Sequence, residues 1–131
     1  MKRTQEREQA FILIFEKIFR ENDSIEHILE DALSAEAYIE NEYSKKVFIG
    51  VFENIELIDN LIKENLKGWS IDRISKVALS IMRLCVYEMK FLEDIPVGVS
   101  INEAVELCKK FATSDDSNYI NGVLGSISKE L

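Results

Sequence analysis

Apolar residues recur every three to four positions along almost the whole chain, and this spacing limits the fold more than any other property of the sequence. Phe11, Ile14, Phe15 and Ile18, for example, fall at i, i+3, i+4 and i+7, which is the pattern of one helix face. One proline and five glycines in 131 residues are too few for the turns of an all-β fold. The sequence therefore predicts an all-α protein.

The periodicity predicts six or seven helices in one domain, 1–131, made of two packed halves, 1–68 and 69–131, that divide near Gly68. Ser24 is expected to cap a short second helix, and Ser100 with Glu103 a later one. A polar loop is expected at 113–117. The segment 77–87 is apolar nearly all round and predicts the central helix. The longer predicted helices cover about 4–20, 38–66, 71–92, 101–112 and 118–129.

Arg83 is unusual because it lies within the most apolar predicted helix. A buried arginine needs a partner for its charge, and we expect an ion pair with Glu88 or Glu103. A ligand-binding role for Arg83 is the alternative. Cys85 and Cys108 lie inside apolar runs and are expected to be buried free thiols, which suits a reducing cytosol.

The sequence carries no signature of catalysis or of cofactor binding, such as a glycine-rich phosphate loop or a nucleophile elbow. One histidine and two separated cysteines do not predict a zinc site. The apolar runs are too short to span a bilayer, and no signal peptide is evident. We therefore expect a cytoplasmic protein that is not an enzyme and needs no cofactor or metal.

Charge is unevenly distributed in a chain whose net charge is −8. Residues 1–20 hold five basic and three acidic groups, whereas residues 21–64 hold three and twelve. The basic start, with Lys2, Arg3 and Arg7, can attract phosphate locally although the whole protein is acidic. The alternative is a solvated basic terminus with no ligand.

Three motifs in the second half of the chain are more specific than this general pattern. Residues 81–89 read IMRLCVYEM, 94–107 read DIPVGVSINEAVEL, and 119–124 read YINGVL. In sequence, order and spacing they resemble the motifs of the NusB family, and Trp69 and Arg73 fit as well. The first half fits that family only in its pattern of a basic start followed by an apolar run.

The resemblance implies a bacterial transcription antitermination factor with an all-helical fold. It implies that the protein binds boxA-type single-stranded RNA of nascent ribosomal RNA leaders together with the ribosomal protein NusE. The complex would join RNA polymerase with other Nus factors and suppress early termination. It implies no catalysis and no membrane.

Site residues follow from the same resemblance. The arginine-rich RNA motif of the family corresponds to Lys2, Arg3 and Arg7, although Gln5, Glu6 and Gln9 occupy neighbouring positions where arginines are common. The partner-binding positions correspond to Phe15 and Ala78, and at the latter the family often has an acidic residue. The remaining expected RNA-binding residues are Lys110, Asp115, Asn118 and Tyr119.

Two other functions fit the sequence. One is a protein-interaction module or homodimer without RNA binding, which the acidic middle third and the few N-terminal cations favour. The other is the NusB-like accessory domain of an rRNA cytosine methyltransferase, although no SAM-binding α/β portion is present in this sequence. Tyr119 likewise has two possible roles: its ring could stack on a base or pack in the core.

Overall fold

The structure is a computed structural model that describes residues 1–68 and 70–131; Trp69 lies outside the described residues. The described residues form seven α-helices and no strand, which confirms the all-α prediction. A short 3₁₀ turn at Ile71–Arg73 precedes the fifth helix. The helices are α1 (Arg3–Ile18), α2 (Ile25–Ser34), α3 (Glu42–Glu53), α4 (Ile55–Glu64), α5 (Lys76–Phe91), α6 (Val97–Phe111) and α7 (Ser114–Ser128).

Side-chain caps set where four of these helices begin. In each case a Ser, Thr or Asn oxygen accepts a hydrogen bond from the backbone N–H three residues later, which satisfies one of the free donors of the first turn. The predicted cap at Ser24 is confirmed by its bond from the His27 N–H, at 3.0 Å. The other three capping residues are Asn41, Ser75 and Thr113.

The predicted helix 38–66 is wrong, because two helices, α3 and α4, occupy this stretch. The break falls at Asn54, whose side-chain amide donates to the carbonyl of Gly50 at 2.8 Å. An asparagine side chain that binds nearby backbone in this way competes with the regular helix. Apolar spacing continues through Ile55 and Ile58, so periodicity alone does not reveal the break.

The start predicted for α6 is also wrong. The helix begins at Val97, directly after Pro96, whose fixed φ of −59° suits a helix start. Ser100 is therefore not a cap: it lies inside the first turns, and its hydroxyl donates to Glu88 at 2.8 Å.

The loop predicted at 113–117 is helical instead. Thr113 accepts a hydrogen bond from the Asp116 N–H at 3.1 Å and starts α7 at Ser114. The carboxylates of Asp115 and Asp116 then lie in the first turn, where they favour the positive end of the helix dipole.

One apolar core joins all seven helices. Helix α5 packs against α1, α3, α4, α6 and α7, which confirms 77–87 as the most buried segment. Helices on both sides of Gly68 thus contribute to the same core. Each helix supplies at least one fully buried residue, among them Ala10, Ile28, Val47, Ile58, Ile81, Ala104 and Ile120.

Arg83 pairs with Asp59 of α4, so the predicted partners Glu88 and Glu103 are wrong. Its Nε and Nη2 donate to the two carboxylate oxygens of Asp59, each at 2.9 Å. The side chains are only 13% and 19% exposed, so this two-bond pair ties α4 to α5 at the edge of the core. Glu88 points to another side of α5, where it accepts hydrogen bonds from side chains of α1, α3 and α6.

Candidate nucleic-acid interface

The first cations of the chain, Lys2 and Arg3, lie exposed at the start of α1. The backbone N–H of Lys2 donates to the Gln5 side chain at 3.0 Å, which caps the helix and leaves the Lys2 amine in solvent. Arg3 donates through Nε to Glu6 at 3.0 Å, and its guanidinium lies 4.3 Å from the ring centre of Tyr43. These two cations can reach a phosphate.

Arg7 lies in the core, at only 3% exposure, although the sequence grouped it with the RNA-binding cations. Its Nε donates to Glu88 at 2.7 Å, and Nη1 lies 3.5 Å from a Glu103 oxygen. Burial acts to lower the pKa of Arg7, but the hydrogen bond and charge of Glu88 raise it overall, so the guanidinium stays charged. The predicted RNA contact stays a prediction, and the structure gives Arg7 a packing role.

Glu88 is fully buried and is the centre of this polar cluster. Besides Arg7, it accepts hydrogen bonds from the hydroxyls of Tyr43 and Ser100. Burial and, second, the charge of Glu88 raise the pKa of Tyr43 far above its usual value, which keeps the phenol protonated as a donor. The cluster therefore fastens α1 to α3, α5 and α6 through one carboxylate.

Lys110 lies at the end of α6 and reaches across to α1. Its Nζ contacts both oxygens of Glu8, at 2.8 and 3.0 Å. Thr4, next to Arg3, lines the same groove between α1 and α6. The structure thus brings Lys110 near the N-terminal cations, with Glu8, Glu103 and Glu106 offsetting part of their charge.

Asp115, Asn118 and Tyr119 share one face of α7, because positions three and four apart are neighbours on a helix. Asp115 and Asn118 are exposed, and Tyr119 is half-buried. Burial raises the pKa of the Tyr119 hydroxyl, so the ring is neutral. The start of α7 thereby presents polar groups beside an aromatic ring, which is a suitable arrangement for contacting a base.

Ala78 lies in the same cleft as Tyr119. The described lining of this cleft also includes Arg73, Ile74 and Asp116. Ala78 is only 1% exposed, so a partner seated here would touch little of it. Of the residues assigned from sequence, Tyr119 for RNA and Ala78 for the partner therefore meet in this cleft, between the starts of α5 and α7.

Phe15 belongs to a row of neighbouring aromatic rings along α1 and its C-cap. Its ring centre lies 6.1 Å from that of Phe11 and 5.1 Å from that of Phe19. Phe19 is 61% exposed, and Phe11 also contacts Phe111 at the end of α6, at 5.0 Å. The row of rings therefore runs from the core at Phe11 to solvent at Phe19.

Other chemistry is limited in the described part of the chain. Cys85 and Cys108 are free and buried, as expected, and burial raises the pKa of both thiols. No group of three or more possible metal ligands occurs among residues 1–68 and 70–131. Over the same residues, no helix is long and apolar enough to cross a membrane.

Comparison with known proteins gives a consistent result. Residues 4–129 match the model of the NusB family. The transcription antitermination protein NusB of Clostridium botulinum strain Kyoto is 55% identical over 89 residues, which cover 68% of this chain but only 62% of that protein. The protein of the same name from strain Loch Maree is 41% identical over 97% of this chain and 99% of its own length.

Solved structures match over nearly the whole fold. NusB of T. maritima superposes with a TM-score of 0.87 at 36% identity, covering 99% of this chain and 92% of that one. A crystal structure of the antitermination factors NusB and NusE in complex with dsRNA contains a chain that matches with a TM-score of 0.85 at 29% identity, with complete coverage of both chains.

Proposed function

Because the chain belongs to the NusB family, we propose that it is a transcription antitermination factor that binds boxA-type RNA of ribosomal RNA leaders together with the ribosomal protein NusE. It would act within an RNA polymerase complex that contains other Nus factors. The observation that carries the proposal is the match, over the full length of both chains, to a chain from a crystal structure of NusB and NusE in complex with dsRNA. The exposed cations at the start of α1 support it.

The proposed RNA surface runs from the start of α1 to the start of α7. Lys2, Arg3 and Lys110 supply positive charge, and phosphate contacts of this kind provide affinity without reading sequence. The face of α7 formed by Asp115, Asn118 and Tyr119 supplies hydrogen-bonding groups and a ring for unpaired bases. Arg7 contributes indirectly, by holding α1 in place.

The proposed partner surface is the outer end of the row of rings along α1, at half-buried Phe15 and exposed Phe19. Clustered exposed aromatic residues are typical of protein interfaces. The cleft beside Ala78 is a second contact for the partner. We propose that the protein acts by binding alone, without catalysis, and in the cytoplasm, where bacterial transcription takes place.

The RNA proposal is tested by titrating a labelled boxA-type leader RNA with the protein, with and without NusE, over a series of salt concentrations. On single strands, log K falls with log[salt] by about 0.7 per phosphate contact, so three cations give a slope of about −2. We expect weak binding alone and tighter binding with NusE. A protein–NusE mixture that binds boxA-type and scrambled RNA equally weakly contradicts the proposal.

The partner surface is tested with Phe19→Asp. Because Phe19 is 61% exposed, the new charge stays in water and the melting temperature should move little. Retention of NusE in a pull-down should fall at least about tenfold, because a charge placed within an apolar interface is costly to desolvate. Ile39→Asp is the matched control, since Ile39 is 66% exposed outside the ring row. Equal NusE retention by both variants would exclude Phe19 from the interface.

A second candidate function is a homodimer formed through the same rings, without RNA. The exposed row around Phe19 and the acidic middle third favour it. Under this alternative the protein alone sediments as a dimer and Phe19→Asp makes it a monomer, whereas RNA and NusE leave its mass unchanged.

A further inference from the structure

Tyr43 contacts the N-terminal cations although it lies 40 positions beyond Arg3, in the first turn of α3. Tyr43 is buried, at 7% exposure, and its ring centre lies 4.3 Å from the Arg3 guanidinium. The Arg7 guanidinium lies 5.7 Å from the same ring centre. Both distances are within the range in which the face of an aromatic ring attracts a cation.

The orientation of the Tyr43 ring is fixed from inside the protein. Its hydroxyl donates to the buried carboxylate of Glu88, which also accepts from Arg7 and Ser100. These partners come from α1, α5 and α6, so the ring cannot turn without breaking a cluster shared by several helices. The rigid ring therefore gives the Arg3 side chain a fixed surface to pack on.

Arg3 is held at two points and remains available at a third. Its Nε donates to Glu6, and its guanidinium carbon lies over the Tyr43 ring. The two terminal nitrogens have no hydrogen bond among the described residues and are free to bind a phosphate as a pair. An arginine with few rotamers left to lose binds at a lower entropic cost than a free one.

We infer that Tyr43 is a positioning residue for RNA binding, which holds the Arg3 guanidinium ready for a phosphate. This inference rests on the proposed function, because it assumes that Arg3 contacts RNA. It adds a residue that does not itself touch RNA to the determinants of affinity. It also explains how the buried cluster around Glu88 can influence an exposed surface.

The test is a double-mutant cycle read out as boxA-type RNA affinity in the presence of NusE. Tyr43→Leu should weaken binding about two- to fivefold, as expected for losing an exposed cation–ring contact. In the Arg3→Gln background the same change should have less than half that effect. Tyr43→Phe, which keeps the ring but loses the hydroxyl that fixes it, should bind with an affinity between those of Tyr43→Leu and the unsubstituted protein.

Tyr38→Leu is the matched control, because Tyr38 is also a buried tyrosine but lies away from Arg3 and binds Ser44. It should lower the melting temperature without lowering RNA affinity. The stacking itself is measured by NMR on the unsubstituted protein: the side-chain protons of Arg3 should be shifted upfield by the Tyr43 ring. This measurement needs no variant and holds even if Tyr43→Leu fails to fold.

The outcomes separate the proposed function from the inference about Tyr43. If the unsubstituted protein with NusE does not bind boxA-type RNA, the proposed function fails and the inference fails with it. If it binds RNA but Tyr43→Leu weakens binding equally in both backgrounds, the inference alone is overturned. Unshifted Arg3 protons overturn it as well.

Discussion

The Glu88 carboxylate accepts hydrogen bonds from three side chains while fully excluded from solvent. Such a cluster stabilises only when all its members are satisfied, since a single missing partner leaves a charge buried in a medium that solvates it poorly. Arg7 and Glu88 are therefore coupled: the structural value of either residue depends on the other being present.

Glu88→Gln should destabilise the protein by about 3–5 kcal/mol, because Arg7 keeps its charge and loses the opposite one. Arg7→Met should do the same by stranding Glu88. The double variant Arg7→Met/Glu88→Gln should be destabilised by less than the sum of the two single losses. Urea unfolding followed by circular dichroism measures all three. Additive losses in the double variant would show that the two charges are independent.

The Arg83–Asp59 pair is closer to solvent than the Arg7–Glu88 pair, so breaking it should cost less stability. Exposed ion pairs contribute about 0.2–1 kcal/mol to stability, and breaking a buried pair costs about 3–5 kcal/mol. We expect Arg83→Met to lower the free energy of unfolding by an intermediate amount, about 2 kcal/mol. The same urea experiment checks it, with Lys90→Met, an exposed residue of the same helix, as control. RNA affinity should not change. An unfolding midpoint equal to that of the unsubstituted protein would contradict a structural role.

At the scale of whole helices, α3 and α5 approach each other closely at Gly50. Gly50 faces the Tyr87 ring, and a methyl group at this position would overlap the ring. Tyr87 is itself only 6% exposed and has little room to move. Glycine is required at position 50 because the neighbouring helix leaves no room for a side chain. Its backbone conformation does not require glycine, because it is that of a regular helix.

Gly50→Ala should therefore cost about 1–3 kcal/mol, the usual effect of overpacking. Gly125→Ala is the control, because no described atom lies within 4 Å of its added methyl group and alanine favours a helix interior by about 0.5–1 kcal/mol. Thermal melts should move in opposite directions for the two variants. If Gly50→Ala is as stable as the control, Tyr87 must relax easily.

Most of the helices could be predicted from the sequence. Apolar spacing located the helices, because burial is what produces the spacing. It missed the break at Asn54 and the early start of α7, which depend on single side-chain hydrogen bonds to the backbone. It did not reveal that Arg7 is buried, since charge and hydropathy do not show a partner 81 residues away.

Across the whole molecule, burial raises the pKa of a set of phenols and thiols, which makes stability depend on alkaline pH. In the unfolded chain a tyrosine titrates near 10 and a cysteine near 8.5. The folded protein holds these protons more tightly, so the stabilisation is complete below those values and decreases as pH rises above them. The affected groups are Tyr43, Tyr87, Tyr119, Cys85 and Cys108.

Unfolding free energy should therefore be nearly constant from pH 7 to about 8 and decrease from about 9 upwards, with a slope approaching 1.4 kcal/mol per pH unit for each contributing group. Chemical denaturation at a series of pH values measures this. Tyr43→Phe should show a shallower decline above about pH 10, because it has no phenol to ionise in the unfolded chain. A variant with the same slope would show that Tyr43 does not contribute.

The pairing of Arg7 with Glu88 has a consequence for synthesis on the ribosome, where the N-terminal part of a chain emerges first. Helix α1 leaves the exit tunnel with its future buried charge unmatched, because Glu88 lies on α5, which begins some 60 residues after α1 ends. The nascent first half can pack α1 against α3, but it cannot pair Arg7. The complete core therefore forms only after most of the chain has been made.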